Sequence, residues 1–492
     1  MLSELSKLKG YHSRVKTICL ALLLLFVPVA LADGLPDLGE ASQTVMTPLD
    51  EQRIGEEILR EVAASGEVIN DIEVIDYLQG LGYRLASNSP DNRQKFTFFV
   101  VRDNTINAFA MPGGVIGVHS GLILSVSNES ELASVLAHEI GHVVQRHLAR
   151  SIAMQQQDAW KSIAGLAFAL LAARSNPQLA GGSMMAVQAG AIQKQLDYTR
   201  EHEREADRVG LQILDKAGFD TRAMPAFFET LQKGTRLYDG GAPAFLRTHP
   251  VTSERIADTR NRVEQLPYRQ VTDAPEFQFV RAKLRAQDGT PQQAVAWFRD
   301  SINEKKYSSE AAQHYGLAMA LVRANNLQQA RQEVQWLRTH APRNAMIETL
   351  DAHIGFAIGN PREAEEQFRK ALKDFPEHRG LIYGYAEAML ATGKTDAALK
   401  LLDEKQQIFP DDAHLYELQS QAYTLQGKNL LRHQAQGEAY YRSYNLGSAV
   451  EQMELALKSG DGDFYQLSIV EARLKVLRQQ LGDPKKKKGF FD

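Results

Sequence analysis

The strongest constraint in this chain is a repeat in its second half. Pro342, Pro376 and Pro410 are 34 residues apart, and so are Ala330, Ala364 and Ala398, and Ala318, Ala352 and Ala386. Three columns in register at one period define a unit of two helices. Small residues let the paired helices approach closely, and the proline stops the second helix before the next unit begins. An earlier unit fits around Ala282, Ala294 and Phe298. A later, irregular one fits around Ala449 and Ala456, after an expected insertion over residues 427–436. Helix pairs of this kind stack into a superhelix whose concave face suits protein segments and brings no chemistry of its own.

The first half has a mixed pattern. Residues 94–102, with Phe96, Phe98, Phe99, Val100 and Val101, predict a strand, and residues 105–123 predict a strand pair around Met111-Pro112-Gly113-Gly114. The N-terminus has the order of a secretory signal peptide. Lys7, Lys9, Arg14 and Lys16 precede an apolar run from Ile18 to Val29, and Ala30-Leu31-Ala32 gives a cleavage pattern before Asp33. Cys19, the one cysteine, falls inside that run, which excludes a disulfide scaffold and a multi-cysteine zinc site. The sequence therefore divides into a signal peptide (1–32), a mixed domain (33–267), a repeat domain (268–483) and a basic tail (484–492) carrying Lys485 to Lys488. With 44% hydrophobic and 24% charged residues the composition is globular, and a net charge of −4 gives no footprint for nucleic acid. With the signal peptide and its Cys19 removed, an exported, acidic chain without thiols fits a bacterial periplasm.

The chemistry is concentrated in Leu132-Ala133-Ser134-Val135-Leu136-Ala137-His138-Glu139-Ile140-Gly141-His142, which contains H-E-x-x-H. On a helix, His138 and His142 share a face one turn apart, so both imidazoles reach one metal ion. Glu139 beside them can take the proton of a metal-activated water and hand it to the leaving amine. Asn128 followed by Glu131 predicts the helix start. Gly141 costs about 1 kcal/mol against alanine in a helix interior, which predicts a second backbone in close approach. A third ligand is needed. His147 is one residue off the position at which a further histidine would extend the motif. A helical segment, Arg200-Glu201-His202-Glu203-Arg204-Glu205-Ala206-Asp207, places Glu203 and Asp207 on one face. Glu203 can complete a His-His-Glu site, and Asp207 can hold a ligand histidine by its other nitrogen.

H-E-I-G-H followed by E-R-E-A-D resembles the gluzincin endopeptidases grouped with HtpX and the CAAX prenyl endopeptidase. Asn107 to Gly114, Thr248-His249-Pro250 with Arg255 and Ile256, and Leu81-Gly82 with Arg84-Leu85 resemble further segments of that family. The second half resembles tetratricopeptide repeats. Together they imply an α+β zincin-like metalloprotease domain followed by an all-α tetratricopeptide superhelix. The resemblance implies one Zn²⁺ per chain held by His138, His142 and Glu203, Glu139 as general base, and Asp207 behind a ligand. It leaves His249 two roles: oxyanion donor helped by Arg255, or fourth ligand in a resting state. It further implies a substrate edge strand at Asn107, Ala108, Phe109, Gly113 and Gly114, within a segment (107–122) expected to run along the cleft. The architecture as a whole resembles periplasmic, repeat-bearing members of the family. Those imply unfolded or misassembled outer-membrane β-barrel proteins as substrates, chaperone-like help in their assembly, and the barrel-assembly machinery as a partner of the repeats. The apolar run over residues 160–173 is too short to span a bilayer and reads as a buried helix or lid, with peripheral membrane contact as the second reading. The competing function is a non-catalytic chaperone or adaptor with a structural metal site. Glu139 separates the two, because only hydrolysis requires it.

Overall fold

The computed structural model describes residues 46–91, 94–155, 200–235 and 244–482. The signal-peptide segment, the apolar run 160–173 and the basic tail lie outside the described residues. Among the described residues no helix is long and apolar enough to cross a membrane.

The first half is a small sheet held between helices. Two helices, α1 (Pro48–Ala64) and α2 (Ile72–Ala86), precede strands β1 (Thr97–Val101), β2 (Ala108–Met111) and β3 (Val115–His119). The sheet order is β1-β3-β2, with β3 parallel to β1 and antiparallel to β2. Side chains alternate between faces. Phe98, Val100, Ile116 and Val118 pack into the main core with Leu78, Leu85 and Leu136. Phe99, Val101 and Val115 pack with Ile54, Ile58 and Val62 of α1. Burial on both faces explains why residues 98–101 read as one continuous apolar run. A tight turn, Pro112–Gly114, joins β2 to β3. Gly114 there has φ +75°, and a Cβ would lie 2.1 Å from the Lys95 carbonyl oxygen, so only glycine fits. The strand pair expected over 105–123 forms, but the segment 107–122 does not lie at the edge throughout. β3 is central, and of this segment only Ala108–Met111 lies at an edge of the sheet among the described residues.

Helices α3 (Ser120–Ser125), α4 (Glu129–Val144), α5 (His147–Gln155), α6 (Arg200–Lys216), α7 (Ala223–Thr235), α8 (Ala244–Thr248) and α9 (Ser253–Val263) complete the half. Asn128 caps α4 by accepting from the Glu131 amide at 2.9 Å, and Glu131 reaches back to the Ser127 amide at 2.7 Å.

Twelve helices follow among the described residues, as six pairs: α10 (Pro275–Gln287) with α11 (Pro291–Asn303), α12 (Glu310–Arg323) with α13 (Leu327–His340), α14 (Ala345–Ala357) with α15 (Pro361–Asp374), α16 (Arg379–Ala391) with α17 (Thr395–Ile408), α18 (Ala413–Leu425) with α19 (Asn429–Arg442), and α20 (Leu446–Leu457) with α21 (Phe464–Leu481). All six column alanines are fully buried, and the three prolines sit just past the ends of α13, α15 and α17. The expected insertion at 427–436 is absent. Gly427 is the turn after α18 and the rest opens α19. The period continues with Ser420 and Arg432 in the alanine columns, where the Ser420 hydroxyl donates to the Arg432 carbonyl at 3.1 Å. Polar residues at those positions hid the fourth regular unit.

The two halves share one core. Phe277 and Val280 of α10 belong to the same buried cluster as Leu78, Leu122 and Leu136. The N-terminal turn of α2 lies against the repeats. Lys283 of α10 pairs with Asp71 at 2.8 Å and Glu73 at 2.5 Å, and the Tyr315 hydroxyl of α12 donates to Glu73 at 3.4 Å. Arg379 of α16 grips Asp76 and Asp412. Part of the repeat surface is therefore taken by a helix of the same chain. Lys283 and Glu73 are both buried, so removing the ammonium strands two carboxylates. Lys283→Met should destabilise the chain by about 3–5 kcal/mol in denaturant unfolding, and adding Glu73→Gln should recover part of the loss. An unchanged midpoint for Lys283→Met would show that this joint contributes nothing.

Candidate metal centre

The site forms where α4 and α6 cross. A Cβ on Gly141 would lie 2.9 Å from the Ala206 carbonyl oxygen, and one on Gly210 would lie 3.1 Å from the His138 amide nitrogen. The helices are thus in backbone contact, as the glycine inside α4 predicts. At that distance short side chains from both helices meet. His138 Nε2 and His142 Nε2 are 3.0 Å apart. The Glu203 carboxylate lies 3.5 Å from the first and 3.4 Å from the second. His249, between α8 and α9, brings its Nδ1 to 3.0 Å from Glu203 and 3.4 Å from His138 Nε2. Its ring stacks on Phe245, with centroids 4.8 Å apart. One donor atom from each of the four residues lies within 4.8 Å of all the others, and all four side chains are buried. Three imidazoles and a carboxylate converging on one point are the donor set of a tetrahedral nitrogen and oxygen site for a divalent ion.

The surroundings set the protonation. Burial holds His142 well below its ordinary range, which keeps a lone pair for the site. Burial acts the same way on His138, but Asp207 and Glu203 outweigh it and raise this group to about 9. Burial would raise Glu203, yet the neighbouring histidines hold it well below the carboxylate range. Glu139 is fully buried, and that burial pushes its carboxyl up. Its contacts are the Ala110 backbone of β2 and a long approach to His249 Nε2 at 3.5 Å. Two buried oxygens so weakly partnered face the donor cluster.

Asp207 lies one turn along α6 and meets His138 Nδ1 at 2.9 Å. Arg255 lies behind both acids. Its Nε and Nη2 donate to Asp207 at 2.8 Å each, and its Nη1 donates to the Pro250 carbonyl at 2.8 Å and to Glu203 at 2.7 Å. The expectation that Arg255 helps His249 at the oxyanion is corrected: the guanidinium is spent holding the two carboxylates. Of the expected edge-strand residues, Ala108 and Phe109 lie on β2, Asn107 just precedes it with its Oδ1 buried and unbonded, and Gly113 and Gly114 sit in the following turn. His119 is held by Thr105 at 2.9 Å, away from the cluster. Sequence spacing gave no role to His147, which lies against His142 at 2.9 Å. Between α4 and α5 the chain turns at Arg146, whose φ is +51°, a feature with no sequence signal.

A buried cluster of two helix-borne histidines, a glutamate from a crossing helix and an adjacent weakly bonded carboxylate defines a metallopeptidase. The comparisons agree. Residues 75–263 match Peptidase family M48, and residues 356–422 match a tetratricopeptide repeat family. A β-barrel assembly-enhancing protease of Escherichia coli is 32% identical over 91% of this chain and 92% of its own length. A putative β-barrel assembly-enhancing protease of Vibrio cholerae is 34% identical over 85% of this chain and 86% of its own. The mitochondrial metalloendopeptidase OMA1 of Schizosaccharomyces pombe is 34% identical over 40% of this chain and 54% of its own. The chain belongs to the family of β-barrel assembly-enhancing proteases.

The helix crossing is directly testable. Gly141→Ala gains about 1 kcal/mol of helix propensity but drives a methyl group into the α6 backbone, so a net loss of about 1–2 kcal/mol in unfolding free energy is expected. Bound metal should become easier to strip with a chelator. A Gly141→Ala chain as stable as the parent would show that the helices have room to spare.

Proposed function

We propose that this chain is a zinc endopeptidase of the periplasm that degrades misassembled outer-membrane β-barrel proteins and assists their assembly, with the repeats recruiting substrate and the barrel-assembly machinery. The observation that carries the hydrolytic part is Glu139. A structural metal site has no use for a buried, weakly bonded carboxylate aimed at the donor cluster, and keeping one there is costly. An adaptor without chemistry remains the second outcome of the test below.

His138, His142 and Glu203 hold the ion, and zinc suits that donor set. When bound, zinc supplies a Lewis acid for the scissile carbonyl and acidifies water toward neutral pH. Glu139 accepts the proton of the attacking water and delivers it to the departing amine nitrogen. Its raised proton affinity suits both halves of that transfer. Asp207 accepts from His138 Nδ1, which leaves Nε2 free to ligate, and Arg255 keeps Asp207 and Glu203 ionised and in place. His249 reaches Glu203 and His138 through Nδ1 and Glu139 through Nε2. That position favours a fourth ligand in a resting state over a donor standing clear of the metal. Substrate adds to the free edge of β2 at Ala108–Met111, where backbone hydrogen bonds give affinity with little demand on sequence. Such binding fits a protease for unfolded chains. The signal-peptide pattern of residues 1–32 supports the periplasmic setting, and the names of the relatives support the link to β-barrel assembly.

Glu139→Gln should retain zinc and lose about 10²–10⁴-fold in the cleavage rate of an unfolded β-barrel protein. Chelator should abolish cleavage by the parent, and zinc should restore it. Equal cleavage by parent and variant would reject the mechanism. Tight substrate binding by a parent that never cuts would favour the adaptor.

A further inference from the structure

His142 presents Nε2 to the donor cluster and turns Nδ1 the other way. His147 Nδ1 lies 2.9 Å from that outward nitrogen, and His147 Nε2 lies 3.0 Å from Glu205 Oε2. Arg150 holds the same carboxylate oxygen at 2.9 Å. The His202 ring lies flat on His147, with centroids 4.4 Å apart and planes 17° apart. His147 is itself fully buried. With Glu205 ionised beside Arg150 and His147 a neutral imidazole, one arrangement of protons satisfies the chain. The acceptor carboxylate takes a hydrogen from His147 Nε2, which makes His147 Nδ1 an acceptor. His142 must then carry its hydrogen on Nδ1, and its Nε2 lone pair points at the cluster.

The geometry assigns His147 as the positioning residue of the second metal-ligating imidazole, completing a Glu205–His147–His142 chain that fixes the tautomer and ring plane of His142. This assignment rests on the reading of His142 as a zinc ligand. It parallels the direct Asp207 contact on His138, but by a different device. Glu205 follows Glu203 by two positions and so faces a different side of α6. An imidazole bridges the gap that a carboxylate there leaves. The backbone is shaped for it. Arg146 adopts φ +51°, an unfavourable conformation for a side chain with a Cβ, and is pinned by Glu51 at 2.7 Å and the Met46 carbonyl at 2.7 Å. That kink brings His147, the first residue of α5, under His142.

The test is zinc affinity of the full chain, measured by chelator competition, with thermal unfolding of the metal-free protein as a folding control. His147→Phe keeps the ring and removes the acceptor, and should weaken zinc binding about 10–100-fold. His147→Asn keeps an acceptor near the Nδ1 position and should recover most of that loss. A merely structural role would show no such recovery. Glu205→Ala, at a partly exposed residue, should weaken binding several-fold and carries the test if His147→Phe does not fold. Zinc affinity unchanged in both His147→Phe and Glu205→Ala, or in Glu205→Ala when His147→Phe does not fold, overturns the assignment while leaving the metallopeptidase reading intact. A folded parent that binds no zinc removes both.

Discussion

The backbone contact between α4 and α6 is the constraint on which the centre depends. Packed helices ordinarily stand 8–10 Å apart, with a layer of side chains between them. Here Gly141 faces Ala206 and Gly210 faces the amide of His138, so that layer is missing where the ligands lie. Each helix contributes a pair at i and i+4: His138 with His142, and Glu203 with Asp207. Because both pairs share one level of the crossing, four short side chains meet without any loop having to place them. The first-half sheet then lies over α4 and puts the Ala110 backbone beside Glu139.

Burial makes the site electrostatically demanding. When the imidazoles are neutral, as ligation of a metal requires, Glu139, Glu203 and Asp207 are opposed by Arg255 alone, and every one of these side chains is almost wholly out of water. Two uncompensated negative charges in such a place are strongly unfavourable. A divalent cation balances them, and the donor atoms already point to where it belongs. The raised proton affinity of His138, where Asp207 and Glu203 outweigh burial, expresses the same imbalance, whereas that of Glu139 comes chiefly from burial itself. Arg255 is part of this balance, which is why its place is behind the carboxylates and not in front of the scissile bond.

Much of this was legible in the sequence, because the relevant signals are local and periodic. H-E-x-x-H and E-x-x-x-D each lie on one helix face, and a glycine inside α4 announced the crossing. The alanine and proline columns gave the repeats their period. The failures share a cause, which is dependence on partners distant in sequence. Arg255 reads as a spare cation until Asp207 and Glu203 are seen to occupy its fork. His147 has no role until a left-handed residue turns the chain. Ser420 and Arg432 replace column alanines without disturbing the helix pair, so a count of small residues loses the repeat at that point. The central position of β3 could not be read either, because a strand buried on both faces and an edge strand are equally apolar over four or five residues.

Sequence alone separates recruitment from hydrolysis, assigning one to the repeats and the other to the metal helices. The structure ties them through α2. Its N-terminal turn is gripped by Lys283 and Arg379 of the repeats. Tyr77 in its middle donates to Glu129, the first residue of α4, at 2.9 Å, and Glu129 also accepts from the Ala274 amide at the start of α10. Arg84 near its end donates to the Ala217 carbonyl just past α6 at 2.7 Å. One helix therefore touches the repeat stack, the start of the helix carrying His138 and His142, and the end of the helix carrying Glu203. A load on the repeats that shifted α10 against α2 would act on buried ion pairs and on both metal-bearing helices together. The repeat surface that meets α2 is thus an internal bearing surface.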